Sequence, residues 1–354
     1  MTGGLISVQD NRAVSLPPLT IGGHILANPV LLAPMAGITD APVRRMAVRH
    51  GAGLVVSEMV ASEALLSGHG EMTLRAERAG APLHAVQLAG NDPHWMAEAA
   101  RMAESEGADI IDINMGCPAK RVTTGAAGAA LLRDMPLAGR ILDAVRAAVR
   151  LPVTVKTRLG WEAGAPTAPA LAQLAEKAGL SLVTVHGRTR CQFYKGAADW
   201  GAIRAVTEAV RLPVIANGDL RDARDAPAML AASGAHGVMI GRGAQGRPWF
   251  PGHVARFLAT GRVPAPPSFE AQRNMLLELY EGWLSLYGTG LGVRQARKHV
   301  GWALEAAAAQ AGPAGSGPGW VATWRERLLT CEHPALVRAG ICEAFDDLNW
   351  RAAA

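Results

Sequence analysis

Eight short β-rich runs recur along about 250 residues of this chain, and Ala-rich, Arg-studded stretches of helical character separate most of them. The runs are Val30–Met35, Leu54–Met59, His84–Gly90, Asp109–Gly116, Pro152–Gly160, Leu182–Thr189, Pro213–Asp219 and Gly237–Gly243. The clearest helical stretches are Pro93–Glu106, Ala127–Val149, Ala168–Ala178 and Asp222–Ala232. A strand that must pair in parallel with the next needs a crossover, and a helix supplies it. Eight such units predict an α/β fold of the (β/α)8 TIM-barrel type. An open doubly wound sheet would need a break in the rhythm, and none is visible. The Val and Ile content of the runs suits strands buried on both faces.

After the barrel the pattern changes. Residues 259–269 contain Pro264, Pro266 and Pro267 and read as a linker, because prolines cannot continue a helix. Beyond it come only helical stretches, Gln272–Tyr287, Val293–Ala309, Trp320–Leu329 and Pro334–Leu348, which predict a small C-terminal α-helical bundle. Ala311–Gly319 reads as a Gly/Pro/Ser-rich loop within it. The expected division is therefore a barrel domain over residues 1–258, with residues 1–20 as its lead-in, and a helical domain over residues 259–354.

Composition excludes several classes. No apolar run reaches the length of a membrane span, and no signal peptide is expected from the N-terminus. Four cysteines, Cys117, Cys191, Cys331 and Cys342, are widely spaced with no C-x-x-C. That argues against a disulfide framework and against a metal site, and it places the chain in the reducing cytoplasm. The net charge is +5, yet the part after residue 260 holds nine basic and nine acidic side chains. The excess lies in the barrel, so a nucleic-acid partner would find most of its field there.

The stretch Asp112-Ile113-Asn114-Met115-Gly116-Cys117-Pro118 starts as a strand and ends as a loop. Asp112 and Asn114 share one face, and Cys117 lies just beyond the strand's carboxyl end, where barrels do chemistry. The competing reading is a buried structural thiol. Thr154, Lys156 and Arg158 share a face of the fifth run, and Thr184, His186 and Arg188 a face of the sixth. Gln87 lies with Ala85 and Ala89 on the third. A lysine on an inward face is too costly to bury alone, so Lys156 should meet a carboxylate, water or an anionic ligand. Asn217-Gly218-Asp219 and Gly241-Arg242-Gly243 end the last two runs, where barrels of this kind often bind phosphate. This set suits FMN, with Lys156 near the pyrimidine end of the flavin. A Schiff-base chemistry at Lys156 competes with it, but would leave Cys117 unused.

These residues fall within motifs by which the chain resembles the tRNA-dihydrouridine synthases, and among them the bacterial B type. The match runs from about Ile21 to about Ala303 and includes Ala33–Asp40, Gln87–Gly90, Asp112–Lys120, Lys156–Arg158, His186–Arg190, Pro213–Asp219, Ile240–Arg242, Ala244–Trp249 and Ala296–Val300. The resemblance implies FMN held by Pro34, Met35, Ala36, Gln87, Lys156, Asn217, Gly218, Asp219, Gly241 and Arg242, with His186 nearby. It implies Cys117 as proton donor, NADPH or NADH as hydride source, and a D-loop uridine of tRNA as substrate, at position 17. An unperturbed thiol is protonated at pH 7 yet able to donate, which suits that role. Asn114 is expected at the uracil edge, and Arg158 there or on a phosphate. The uridine must leave its stack to reach the mouth. Arg294, Arg297 and Lys298, at i, i+3 and i+4, are expected to grip the tRNA body from one helix face. Arg190, with Phe193-Tyr194-Lys195, offers a second RNA contact. The chain is expected to act as a monomer. Two other readings stay open: an FMN barrel oxidoreductase acting on a free pyrimidine, and a tRNA-binding protein without chemistry.

Overall fold

The structure, a computed structural model, describes residue 13, residues 16–317 and residues 319–353. Most of the lead-in and Pro318 of the expected bundle loop lie outside the described residues.

The barrel strands are β1 (Val30–Leu32), β2 (Leu54–Val55 and Val60–Ala61), β3 (Ala85–Ala89), β4 (Ile110–Met115), β5 (Val153–Arg158), β6 (Leu182–His186), β7 (Val214–Asn217) and β8 (Gly237–Ile240). All pairings are parallel and run in order from β1 through β2 to β8 and back to β1. Each expected run contains one strand. The second is broken: its first half pairs with β1 and its second with β3, and a bridge from Val56 to Ala85 closes the ring between them. Ser57 causes the break. Its N–H donates to the Ala85 carbonyl at 2.9 Å, while its Oγ accepts from the Gln87 N–H at 2.9 Å in place of a ladder carbonyl. A short antiparallel pair, Thr20–Ile21 with His24–Ile25, precedes the barrel, and Leu19 and Ile21 pack with the buried ends of β1, β3 and β4.

The helices that cover the barrel begin where the sequence marks starts. In α1 (Ala41–Arg49), the Asp40 side chain accepts from the Val43 N–H, with Pro42 in the first turn. Helices α2 (Ser62–Leu66) and α3 (Gly70–Ala76) fill the connection after β2. In α4 (Pro93–Ser105), Asp92 accepts from the N–H groups of His94 and Trp95. A short α5 (Lys120–Thr123) follows the Cys117 loop, and α6 (Met135–Ala148) is capped by Asp134. The crossovers α7 (Ala168–Lys177), α8 (Arg204–Ala209) and α9 (Ala226–Ser233) complete the ring, with α10 (Phe250–Thr260) after β8. Prolines in the first turns of α1, α4, α6, α7, α9 and α10 stand where their missing N–H costs nothing. One apolar core joins most of these helices to the outer faces of the strands, while α1 packs on β1 and β2 in a small separate cluster of Ala47, Leu32 and Val55.

The C-terminal part is helical but divided differently from the expectation. The linker is shorter: α10 runs to Thr260, and α11 (Phe269–Ser316) starts behind Ser268, whose Oγ accepts from the Ala271 N–H. Two expected helices are nearly continuous, broken only at Gly288, where φ is +73°. The expected loop over residues 311–319 is largely a further helical turn beyond a second break at Gly312. Alanine's high helix propensity carries the helix that far before glycine interrupts it. Helices α12 (Trp320–Thr330) and α13 (Pro334–Ala353) pack against it. Their core, with Trp283, Tyr280 and Phe345 buried at its centre, also takes in Met46 and Trp249 from the barrel side. At Gly246, φ is +69° and an added Cβ would meet the Trp302 carbonyl at 2.2 Å, so only glycine permits this approach of the barrel loop to α11. No helix among the described residues is long and apolar enough to cross a membrane.

Candidate active site

Strand parity and register decide which side chains meet inside the barrel. Gln87 lies beside Asp112, Asn114 beside Lys156, Arg158 beside His186, and His186 beside Asn217. All project toward the carboxyl ends of the strands. All but Asp112 open on a cavity of about 400 Å3, within the range of cofactor sites. Pro34, Met35, Ala36, Gln87, Lys156, His186, Asn217, Gly218, Asp219, Gly241 and Arg242 all line it, together with Asn114, Cys117 and Arg158. Met59, Tyr194, Arg221 and Gln245 also line it, and sequence reasoning had not assigned them to it.

At the floor, the Lys156 Nζ donates to Asn217 Oδ1 at 3.1 Å, and Asn217 Nδ2 donates to the Met239 carbonyl at 2.7 Å. Burial, with the Arg158 charge beside it, pushes the Lys156 ammonium down to about 8, while the Asp112 carboxylate pulls the other way. Asp112 is itself buried, which raises its pKa; hydrogen bonds from Thr154 and Gln87 oppose that rise. Burial and the four cations Lys156, Arg158, Arg188 and Arg242 hold His186 neutral. Its Nε2 lies 3.2 Å from Arg188 Nη1, which can only donate. The imidazole proton therefore belongs on Nδ1.

At one rim, Asp219 joins the last two loops to the loop after β6. It accepts from Arg188 through both carboxylate oxygens, from Arg242 Nη2 at 3.1 Å and from the Ala198 N–H at 2.9 Å. Arg188 is buried and also donates to the carbonyls of Lys195 and Gly196, at 3.2 and 2.6 Å. It was legible only as an inward partner of His186 by parity, and its tie to Asp219 is a product of the fold. Tyr194 stands half out of the mouth, with the Arg242 and Arg158 guanidinium carbons 5.0 and 5.6 Å from its ring centre.

Cys117 is half-buried on the loop after β4. Its N–H donates to Asn114 Oδ1 at 2.9 Å, and its carbonyl accepts from the Ala129 N–H at 3.1 Å. Asn114, expected at a substrate edge, lines the cavity but is also a loop anchor: Oδ1 serves Gly116 and Cys117, and Nδ2 donates to Gln87. Arg158 is more strongly committed. Its guanidinium donates to the carbonyls of Gly116, Thr189 and Phe193 at 2.8, 2.9 and 2.9 Å, tying three loop positions to one rigid fork.

Four expected contact residues lie outside the cavity. Arg190 is sandwiched between Trp161 and Phe193, 4.5 and 4.7 Å from the ring centres, so stacking holds it in the loop. Arg294, Arg297 and Lys298 do not act as one exposed face. Arg294 is exposed, Arg297 pairs with Glu332 at 3.7 Å, and Lys298 is half-buried at the junction with the barrel. A Cβ on Gly37 would lie 3.7 Å from the Lys298 Nζ. Lys298 faces Asp40 and Glu58, whose carboxyl pKa values burial raises. Tyr287 donates to Asp40 at 3.1 Å, and the Gly37 N–H donates to Glu58. This junction exists only once α11 is docked, so helix periodicity alone could not show it. Among the described residues no group of three or more His, Cys, Asp or Glu side chains could hold a metal ion.

A family profile described as dihydrouridine synthase (Dus) matches residues 31–312. A probable tRNA-dihydrouridine synthase of Rhodobacter capsulatus is 55% identical over 322 residues, covering 90% of this chain and 95% of that protein. One from Rhizobium leguminosarum bv. phaseoli is 49% identical and covers 90% and 96%. A tRNA-dihydrouridine synthase B of Xanthomonas axonopodis pv. citri is 48% identical and covers 80% and 86%. Among solved structures, a morphinone reductase variant in complex with tetrahydroNAD aligns with a TM-score of 0.51 at 16% identity, covering 70% of this chain and 92% of that one. That likeness concerns the fold.

Proposed function

The chain belongs to the dihydrouridine synthase family, and from that premise we propose that it is an FMN-dependent tRNA-dihydrouridine synthase. It reduces the C5–C6 bond of a D-loop uridine in tRNA, position 17 by resemblance to the B type, with NADPH or NADH as the donor. The observation that carries the reading is a single cavity lined by a rim thiol, a buried lysine and two glycine-bearing loops with an arginine.

The donor set fits FMN. Gly241 exposes backbone on the wall, where an added Cβ would stand 3.6 Å from Met35 Sδ, and Arg242 brings a cation to the same end. Met35 and Met59 offer apolar surface for a flat ring, and Gln87, Lys156 and Asn217 would hold its polar edge. Bound there, FMN would supply the hydride for C6 of the uracil. Lys156 keeps Nζ donors for an anionic ring edge. His186, neutral, adds no further cation. Cys117 holds the proton for C5 on the rim from which a flipped base would enter. Tyr194 gives that base an exposed aromatic face beside it. Purified protein with a flavin spectrum should form dihydrouridine in an unmodified tRNA transcript. No flavin, or no product with added FMN and NADPH, would overturn the reading.

Lys156 makes a pH-dependent prediction. Its ammonium is charged below about 8 and neutral above. FMN retention, or the rate of flavin reduction by the nicotinamide donor, should therefore weaken as pH rises past that value. Lys156→Ala should be impaired at every pH and show no such limb. The apoprotein's stability responds with the opposite sign. A lysine whose folded pKa is depressed binds fewer protons folded than unfolded, so this group's penalty is relieved as pH rises from about 8 toward its ordinary value. A retention profile that is flat and unchanged in the variant would remove Lys156 from the site.

For the helical part, Arg294→Ala should lower the salt slope of tRNA binding by about one unit if its guanidinium meets a phosphate. Lys298→Ala should leave that slope alone and lower the melting temperature, because the side chain serves the junction. Titrations at several salt concentrations separate the two. A slope change at Lys298 would restore the one-face expectation.

A further inference from the structure

Below the cavity, four side chains and a loop are joined in a row. Thr154 Oγ1 donates to Asp112 Oδ1 at 2.6 Å, and Gln87 Nε2 donates to Asp112 Oδ2 at 2.7 Å. Asn114 Nδ2 donates to Gln87 Oε1 at 2.8 Å. Asn114 Oδ1 accepts from the N–H groups of Gly116 and Cys117, at 3.2 and 2.9 Å. Asp112, Gln87, Asn114 and Thr154 are all buried, so an unmet polar group among them is costly.

The row has one workable direction. Backbone N–H groups only donate, so Asn114 must show them its oxygen. Its NH2 group then faces Gln87, which must answer with oxygen. The Gln87 NH2 group is left for the far end, where Asp112 Oδ2 accepts from it. Both ends of the row therefore demand the same polarity. An amide turned over anywhere would set like against like, at the cost of a buried unsatisfied group.

We propose that Asp112 is a positioning residue for Cys117: acting through Gln87 and Asn114, its carboxylate sets the polarity of this row and holds the Gly116–Cys117 turn with the thiol toward the cavity. The proposal deepens the function above, since it rests on Cys117 as the proton donor. Asp112 does not line the cavity and contributes by fixing two amides that do.

The test is a cycle of isosteric variants, Asp112→Asn, Asn114→Asp and both together. Asp112→Asn alone keeps an oxygen for Gln87, with Thr154 accepting from the new NH2, so it should lose only about threefold. Asn114→Asp alone puts a carboxyl against the Gln87 oxygen, which it meets either as a clashing carboxylate or by taking up a proton at a buried site, and Gln87 cannot turn without opposing Asp112. Tenfold to a hundredfold is expected, roughly the range of couplings between contacting residues. In the double variant the middle of the row reverses: Asn at 112 donates to Gln87, which donates to Asp at 114. Most of the loss should return.

Two readings are taken. One is reoxidation of pre-reduced enzyme by tRNA. The other is the alkylation rate of Cys117 in oxidised, RNA-free protein, followed peptide by peptide because Cys191 is exposed and reacts too. Recovery in the double variant supports the proposal, and loss equal to the product of the single effects overturns it. If Asn114→Asp does not fold, recovery of folded protein in the double variant is the expected result, and no recovery overturns the proposal. If wild-type enzyme is not reoxidised by tRNA, the assigned reaction fails, and the alkylation cycle still decides the role of Asp112.

Discussion

Cys117→Ala should slow the reaction with tRNA by roughly 10²–10⁴, the usual worth of a positioned general acid, while leaving the flavin and its reduction by nicotinamide intact. The two effects separate because the fold holds this residue by its backbone. The Cys117 N–H goes to Asn114 and its carbonyl receives the Ala129 N–H, and alanine keeps both. Cys117→Ser should be nearly as poor, since a hydroxyl is a far weaker acid at neutral pH. Rapid mixing distinguishes the half-reactions: reduce the flavin first, add unmodified tRNA, and follow reoxidation. If the Ala variant reoxidises at the wild-type rate and yields dihydrouridine, Cys117 is a structural thiol and the proton comes from elsewhere.

Asp219→Ala should destabilise the folded protein by about 3 kcal/mol, because it leaves a buried guanidinium without its counter-ion. Arg188 is 1% exposed, and Asp219 pairs with both it and Arg242. Partial burial pushes the Asp219 pKa up, but hydrogen bonds from Arg188 and the Ala198 N–H, with both arginine charges, bring the net value below the ordinary carboxylate range. The stability it contributes is therefore present above the unfolded-state pKa and lost as pH falls through the lower folded value. Urea denaturation at neutral pH measures the loss, and flavin release should accompany it because the loop after β6 and the two loops bearing Gly218 and Gly241 come apart. Asp219→Asn, which keeps an acceptor but no charge, should fall between. A cost below about 1 kcal/mol would mean that the carbonyls of Lys195 and Gly196 satisfy Arg188 unaided.

Between sequence and structure, the agreement follows strand parity and the disagreement follows helix docking. Alternation along β4, β5 and β6 places Asn114, Lys156 and His186 on the inner face whatever their neighbours do, since a strand's side chains must alternate. The helix start at Pro93 was equally local, because the Asp92 cap bonds reach only two or three residues along the chain, whereas the helix expected from Ala127 begins only at Met135, after a 3-10 turn over Gly128–Arg133. By contrast, i, i+3, i+4 spacing shows that Arg294, Arg297 and Lys298 share a helix face, and says nothing about what that face meets. Here it meets Glu332 for one residue and the Gly37 junction for another. The loop role of Arg158 was hidden for the same reason, as its three acceptors come from two segments distant in sequence.

The sequence by itself determined the barrel, the order of its eight strands, and the set of inward side chains at its mouth. Those properties are periodic or local and survive without knowledge of distant partners. Only the tertiary structure decided how those side chains are bonded: that Asp219 holds two arginines, that Ser57 breaks β2, and that Asp112 reaches the Cys117 turn through Gln87 and Asn114. A buried donor must find an acceptor, and which acceptor lies within 3 Å depends on strand register and loop closure across residues far apart in the chain.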